Sequence, residues 1–350
     1  MTALPQRILV IRLSAIGDVV MASPLISALR QRHPRAHLVW LAQPEVRDLL
    51  EYHPDLDQVI VWPRGEWRRA WREHRYRALW REIRAFVRQV RALRPDLAID
   101  LQGLLKSGVW AWLSGARERI GLGSREGSQH LMTRVLPRGG DSARIGSEYL
   151  YLAQQLKLPT DDFAMAVALA PDDEDFARRF AAERGLDGRY AVICPFTTRP
   201  QKHWFEERWV QLIPRLETEL GLRVLMLGGP GDRSAADRIA QAAGERLVNA
   251  VAETRLRQAA ALIRQADLLI GVDTGLTHMG IAFDTPTLAL FGSTLPYSDT
   301  TRDNARVLYH RLPCSPCRRN PTCHGEFTCM RRIGVDEVLG AARGVLAARA

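Results

Sequence analysis

The chain has 350 residues, 46% of them hydrophobic and 25% charged. That length allows two ordinary cores, and the composition predicts a soluble globular protein. No run of about 18 apolar residues occurs, which argues against a membrane-spanning helix. The opening residues 1–7 lead into a strand with no basic-then-apolar leader, so the expected location is the cytoplasm. The net charge is +10, and residues 64–94, with eleven arginines and three glutamates, supply +8 of it. So local an excess needs a local partner: nucleic acid, an anionic membrane face or a phosphorylated substrate.

Residues 7–13 read as a buried strand, followed by the turn Ser14-Ala-Ile-Gly-Asp18 and a helix through Arg30. Strands are expected at 37–41, 58–62 and 97–100, with helices over 66–93 and 104–113. The plan restarts after residue 170, with strands at 190–194, 223–227, 267–270 and 287–291 and helices between them. Alternation of this kind predicts an α/β fold of two parallel sheets covered by helices. The domain boundary is placed in the acidic, proline-bearing stretch 158–173, giving domains 1–170 and 171–334. A last helix over 335–350 is expected to pack back on the first domain.

Two loops in the second half carry the clearest chemistry. Thr197-Thr-Arg-Pro-Gln-Lys202 follows the apolar run 190–194, and Gly271-Val-Asp-Thr-Gly-Leu-Thr-His278 follows 266–270. Each lies where a buried strand ends and a helix should begin, and helix starts offer unpaired N–H groups and partial positive charge to phosphate. The hydroxyls of Thr197 and Thr198 can donate to phosphate oxygens, and Lys202 can balance a departing diphosphate. Lys202 is one of three lysines among 49 basic residues, which marks it out. In the second loop, Asp273 or Thr274 is expected to cap the helix, Gly275 to let phosphate approach the amides, and His278 to fall one turn in. A core histidine is the plainer reading of His278. Gly228–Asp232 closes another strand and leaves room for a base or ribose.

In the first half, Ser14–Asp18 sits at the carboxyl end of the first strand, where open parallel sheets bind ligands. Asp18 reads equally as a helix cap or as a general base that accepts a hydroxyl proton. The loop lacks the Gly-x-Gly-x-x-Gly fingerprint, so NAD binding is not indicated. The turn Asp100–Ser107 ends another strand in the same way, with Gln102 and Lys106 able to reach a ligand. The arginine-rich segment carries Trp67, Trp71, Tyr76 and Trp80. It suits an anionic lipid surface or phosphorylated glycolipid better than RNA, whose signatures are missing, and its plain reading is a solvated face with packed tryptophans. Cys314, Cys317, Cys323 and Cys329 have enough ligands for a metal knuckle, but their spacing matches no standard zinc ribbon. A folded, thiol-rich loop is the alternative.

The segments Ser14–Asp18, Trp67-Arg-Arg-Ala-Trp71, Asp100–Ser107, Thr197–Trp204 and Asp273–His278, spread over nearly the whole chain, resemble the lipopolysaccharide heptosyltransferases of glycosyltransferase family 9. The resemblance implies a GT-B fold, two Rossmann-like domains facing an interdomain cleft. It implies an inverting, metal-independent transfer of heptose from ADP-heptose to Kdo on lipid A, with no cofactor. By that analogy Asp18 is the base. Thr197, Thr198 and Lys202 hold the donor, and Asp273, Thr274, Gly275, Leu276 and His278 complete its pocket. Arg68, Arg69, Lys106 and Arg125 meet the acceptor. Partners would be ADP-heptose, the Kdo-lipid A glycolipid and, transiently, the cytoplasmic face of the inner membrane, with no nucleic acid. Gly228–Asp232 offers no clean match to the family's ribose-binding acid, and the cysteine cluster resembles loops of other branches. Transfer to an existing heptose, and non-catalytic binding of a nucleotide sugar or anionic lipid, are the alternatives.

Overall fold

A computed structural model of the chain describes residues 5–186 and 188–348. The expected absence of a leader at residues 1–4, and the final residues 349–350 of the last helix, lie outside them. The contacts divide the chain into two units. One comprises Met1–Asp141 with Gly146–Ala164, the other Ser142–Ile145 with Met165–Ala350.

The first unit holds one six-stranded parallel sheet: β1 (Arg7–Ile11), β2 (His37–Ala42), β3 (Gln58–Val61), β4 (Leu97–Asp100), β5 (Glu118–Leu122) and β6 (Arg134–Leu136), in the order β3-β2-β1-β4-β5-β6. β1 is the pivot, with Ile11 paired to Leu41 on one side and Asp100 on the other. Its strands are near-continuous apolar runs because helices cover both faces. Leu9, Ile11, Val39 and Leu41 pack with Phe86 and Trp110 from the covering helices.

The second unit repeats the plan with β7 (Tyr190–Cys194), β8 (Arg223–Met226), β9 (Leu247–Asn249), β10 (Leu268–Val272), β11 (Thr287–Phe291) and β12 (Ala305–Tyr309), ordered β12-β11-β10-β7-β8-β9. Each sheet therefore grows outward from its first strand and then reverses, the order of doubly wound nucleotide-binding folds. Gly271 of β10 pairs with Cys194 of β7. A Cβ at Gly271 would lie 2.2 Å from Thr277 Oγ1 and 3.1 Å from Cys194 Cβ, so this close approach of helix and strand requires glycine.

The structure corrects three expectations. Helix 335–350 does not join the first unit: its described part, Val335–Ala347, buries Val338, Leu339, Ala342 and Val345 in the second core, among Trp209, Leu288 and Met330. Its apolar stripe is satisfied there, beside β11, β12 and the helix Glu206–Leu220. The expected helix 66–93 is two helices, Arg64–Arg72 and Tyr76–Ala92. The first ends in a Schellman turn, with His74 N–H donating to the Trp71 carbonyl, Arg75 N–H donating to the Ala70 carbonyl and His74 left-handed at φ 57°. No glycine marks that stop. The helix after β1 also divides, into Ile16–Ala22 and Pro24–Arg32, where Pro24 opens a new first turn. No described helix is long and apolar enough to cross a membrane.

Candidate active site

In sheets of this order a crevice opens outside the carboxyl ends of the two strands where the winding reverses. In the second unit these are β7 and β10. Both loops singled out from the sequence emerge there, Thr197 three residues past β7 and Asp273 directly after β10. Lys202, in the single turn Pro200–Lys202, makes an ion pair with Asp273 Oδ2, and the two side chains are 16% and 14% exposed. The hydroxyl of Thr294 donates to the same carboxylate oxygen at 2.6 Å, and Thr197 Oγ1 donates to the Asp273 carbonyl at 3.4 Å. Burial pushes the Asp273 carboxyl up, but the charges of Lys202 and His278 and the hydrogen bonds from Lys202 and Thr294 outweigh it and hold the group below the ordinary carboxylate range.

His278 is buried one turn into the helix Gly275–Ala282, with Nε2 3.7 Å from Asp273 Oδ1 and Nδ1 2.9 Å from the Tyr297 hydroxyl. Burial, and then the charge of Asp273, push Tyr297 well above its usual value, so its hydroxyl stays protonated. Of the two residues expected to cap this helix, Thr274 stands at the cap position but makes no side-chain cap bond, and Asp273 does not cap it, its carboxylate being taken by Lys202 and Thr294. Among the described residues the first-turn amides at Gly275 and Leu276 therefore keep no side-chain acceptor, which suits an anion.

His203 and Trp204 of the Thr-Thr-x-x-x-Lys-His-Trp block are scaffold. His203 Nε2 binds the Thr197 backbone, 3.0 Å from its nitrogen and 2.9 Å from its oxygen. Trp204 is buried and donates Nε1–H to the Ile333 carbonyl at 3.0 Å. Thr198 is exposed. The cysteine-bearing loop braces this wall: Arg318 N–H donates to the Ser293 carbonyl at 2.6 Å, and Gln201 Nε2 donates to the Arg318 carbonyl at 3.1 Å. All five cysteines are free thiols, and burial pushes those of Cys317 and Cys329 up. Among the described residues no group of three or more His, Cys, Asp or Glu is placed to hold a metal ion. The Asp232 carboxylate accepts the Gly229 N–H at 2.8 Å, a turn-holding role.

In the first unit the reversal lies between β1 and β4. Asp18 is the third residue of the helix Ile16–Ala22, and its Oδ2 takes both the Ala15 N–H at 3.2 Å and an ion pair with Arg12, the residue directly after β1. Asp18 is thus not the N-cap residue, which is Ala15, but closes a capping box from the third position; its Oδ1 has no hydrogen-bond partner among the described residues, and the side chain is 37% exposed. Arg12 is buried and anchored by donation from Nη1 to the Leu101 carbonyl at 3.0 Å. Beside this pair lies Tyr149, fully buried, whose hydroxyl has no partner among the described residues.

After β4, the carboxylate of Asp100 accepts the N–H groups of Gln102 and Gly103 at 3.0 and 3.1 Å and the Ser107 hydroxyl at 3.0 Å. Gln102 Oε1 in turn accepts the Leu13 N–H at 3.0 Å, tying the two loops together. Lys106 is held below its usual value by burial and by the charges of Arg64 and Arg12. Arg125 is exposed, and its backbone N–H donates to the Gly103 carbonyl at 2.9 Å, which brings the loop after β5 to the same end of the sheet. Arg68 and Arg69 are exposed on the helix that follows β3.

Each unit thus gathers its own sequence-predicted group. Asp18 and the Asp100–Ser107 loop meet in the first, and Thr197, Lys202, Asp273 and His278 in the second. Arg12, Arg64, Tyr149, Thr294 and Tyr297 were not singled out beforehand. Arg12 and Thr294 had a legible signal, since both follow the carboxyl end of an apolar strand. Tyr297 lies farther along the loop that carries Thr294, six residues past its strand, and Tyr149 sits in the helix Ser147–Gln155, outside any such loop.

A family model described as glycosyltransferase family 9 (heptosyltransferase) matches residues 83–327. Lipopolysaccharide heptosyltransferase 1 of Pseudomonas aeruginosa is 31% identical over 326 residues, covering 91% of this chain and 87% of that protein. Among solved structures, a family 9 glycosyl transferase from Veillonella parvula superposes with a TM-score of 0.83 at 22% identity, covering 98% and 97% of the two chains. The Escherichia coli heptosyltransferase WaaC with ADP-2-deoxy-2-fluoro heptose gives 0.71 at 25% identity, covering 95% and 98%. Lipopolysaccharide heptosyltransferase 2 of Salmonella typhimurium also matches, at 26% identity over 95% of this chain and 97% of that one.

Proposed function

The chain belongs to glycosyltransferase family 9, and from that premise we propose that it transfers a heptosyl group from ADP-heptose to the Kdo of a lipid A-linked lipopolysaccharide core, with inversion at the anomeric carbon. The observation that carries this reading is the content of the two switch points. One holds a carboxylate with a spare oxygen, Asp18 Oδ1. The other holds a lysine beside a helix start whose cap residue, Thr274, makes no side-chain bond. A base and a diphosphate cradle are what a direct displacement needs.

In the proposed step, Asp18 Oδ1 takes the proton of the acceptor hydroxyl. That oxygen bonds to the anomeric carbon of the heptose, and the bond from the carbon to the diphosphate oxygen breaks with its electron pair leaving on ADP. Lys202, with the amides of Gly275 and Leu276 and the hydroxyls of Thr197 and Thr198, meets the charge of the departing diphosphate, so no divalent metal is called for. On donor binding Lys202 exchanges Asp273 for phosphate oxygens. Asp273, Thr274 and His278 complete the donor pocket, with Tyr297 fixing the ring of His278 through Nδ1. Arg68, Arg69, Lys106 and Arg125 meet the acceptor's carboxylate and phosphates. The enzyme would work at the cytoplasmic face of the inner membrane, where such an acceptor is anchored.

Incubation with ADP-heptose and equal amounts of Kdo-lipid A and heptosylated core, read by mass spectrometry, tests the acceptor. A heptose added to Kdo-lipid A is expected. Consumption of the heptosylated core alone would instead support the second reading, transfer to an existing heptose, with which the match to a heptosyltransferase 2 over nearly its whole length is compatible.

A further inference from the structure

The proposed chemistry uses only part of the arginine-rich segment. In the helices Arg64–Arg72 and Tyr76–Ala92, the core takes Trp67, whose ring meets those of Trp62, Phe86 and Trp110, and it takes Leu79, Phe86 and Val90. Left outside are Trp71, Tyr76 and Trp80, at 62%, 47% and 57% exposure, three of the eight large exposed apolar side chains among the described residues, within ten positions. They form a group rather than a scatter. The Trp71 and Tyr76 rings meet edge to face with centroids 5.1 Å apart, and Trp80 stands one helical turn beyond Tyr76. Exposed apolar patches of this kind, rimmed by polar residues, mark contact surfaces.

The rim decides the partner. Ten of the eleven arginines in 64–94 are exposed, and Arg75 alone has a carboxylate partner, Glu73, among the described residues. Arg84 lies over the Trp80 ring at 5.1 Å. Rings with a polar edge, set on helices among guanidiniums that, Arg75 apart, have no carboxylate partner among the described residues, have the chemistry of the bilayer interface, where indole and phenol sit at headgroup depth and arginine meets phosphate. Nucleic acid is less well served, since base-stacking platforms lie on sheets or splayed loops rather than on helix faces.

We propose that the face formed by Trp71, Tyr76 and Trp80 with its arginine rim docks on an anionic phospholipid bilayer, the rings entering the interfacial layer and the guanidiniums binding headgroup phosphates. The proposal rests on the reading of the acceptor as a membrane glycolipid, and it separates a bilayer-binding face from the residues assigned to the acceptor's own sugar. It makes activity on acceptor embedded in a bilayer depend on a surface that activity on acyl-free acceptor does not need.

Sedimentation of the full chain with vesicles of phosphatidylcholine, with and without phosphatidylglycerol, tests it. Binding about tenfold or more tighter to the anionic vesicles is expected, weakening as salt is raised. The variant Trp71→Ser/Tyr76→Ser/Trp80→Ser should lose about tenfold or more of that binding. Its kcat/KM should fall on acceptor presented in the vesicles and stay within about twofold on acyl-free Kdo acceptor. If that variant fails to fold, Arg77→Gln/Arg81→Gln gives the same reading, with the loss confined to anionic vesicles. Unchanged vesicle binding by the folded variants, equal binding of the wild type to neutral vesicles, or tighter binding to a single-stranded oligonucleotide than to anionic vesicles would each overturn the proposal. The vesicles of the sedimentation assay carry neither donor nor acceptor, so docking on them together with no transfer to either vesicle-borne or acyl-free acceptor would sink the proposed function and leave this inference standing.

Discussion

Replacing Asp273 by Asn separates the free state from the donor-bound state. In the free protein the carboxylate is the counter-ion of a mostly buried lysine and also accepts the Thr294 hydroxyl. Removing one member of a buried pair leaves the other charged and uncompensated, at a cost of about 3–5 kcal/mol. In a unit of this size each kcal/mol shifts the melting temperature by about 2–4 °C, so Asp273→Asn should lower it by about 6–20 °C. Binding of ADP supplies a diphosphate to Lys202, so the deficit should shrink to about half or less at saturating ADP, through the usual linkage of binding to stability. Acid has the same effect on the wild type. The folded-state value of Asp273 lies below its unfolded one, so its contribution is fully present above about pH 4 and lost as pH falls through the lower folded value. The variant should lack this part of the acid profile. Thermal unfolding with and without ADP, and between neutral and acid pH, is the assay. An equal deficit with and without ADP, or a loss below about 1 kcal/mol, would refute the idea that Lys202 trades Asp273 for phosphate.

Three further outcomes follow from the same geometry. Lys202→Met should cut kcat/KM by about 10²–10³, as expected for loss of one preorganised charge on a leaving group, and unchanged steady-state kinetics would remove it from the site. Gly271→Ala should destabilise the second unit by about 1–3 kcal/mol through the clash with Thr277, measured by denaturant unfolding; a neutral result would mean that helix and strand separate freely. Tyr149→Phe deletes a buried hydroxyl that lacks a partner among the described residues and should change stability by less than about 1 kcal/mol in either direction, so a large loss in a melting experiment would show that the hydroxyl is bonded.

Much of the fold was legible because parallel strands buried on both faces leave continuous apolar runs. The central strands β1, β4, β7 and β10 were all found, two of them with their observed limits, Leu97–Asp100 and Tyr190–Cys194. The strands missed are edge or near-edge ones. β6 and β9 have three residues each, and in β5 and β12 the charged Glu118, Arg119 and Arg306 break the apolar run. The excursion of Ser142–Ile145 into the second unit, where Ile145 N–H donates to the Asp299 carbonyl at 2.9 Å, left no pattern because a single bridge imposes none. Candidate site residues on strand-end loops were legible for the same topological reason. What could not be read was pairing: that Asp273 binds Lys202 rather than capping its helix, or that Arg12 takes one oxygen of Asp18 and leaves the other. Those outcomes depend on side chains about 70 residues apart meeting, or on the choice between two lone pairs, and spacing encodes neither.

The account stands on Asp18 as the group that receives the acceptor's proton. Asp18→Asn keeps the shape of the side chain and removes its basicity. Its kcat, measured with ADP-heptose and Kdo-lipid A, should fall by about 10²–10⁴, while the affinity for ADP, measured by calorimetry on the same preparation, stays within about twofold because the residues proposed to cradle the diphosphate lie in the second unit. Turnover at the wild-type rate would contradict the account.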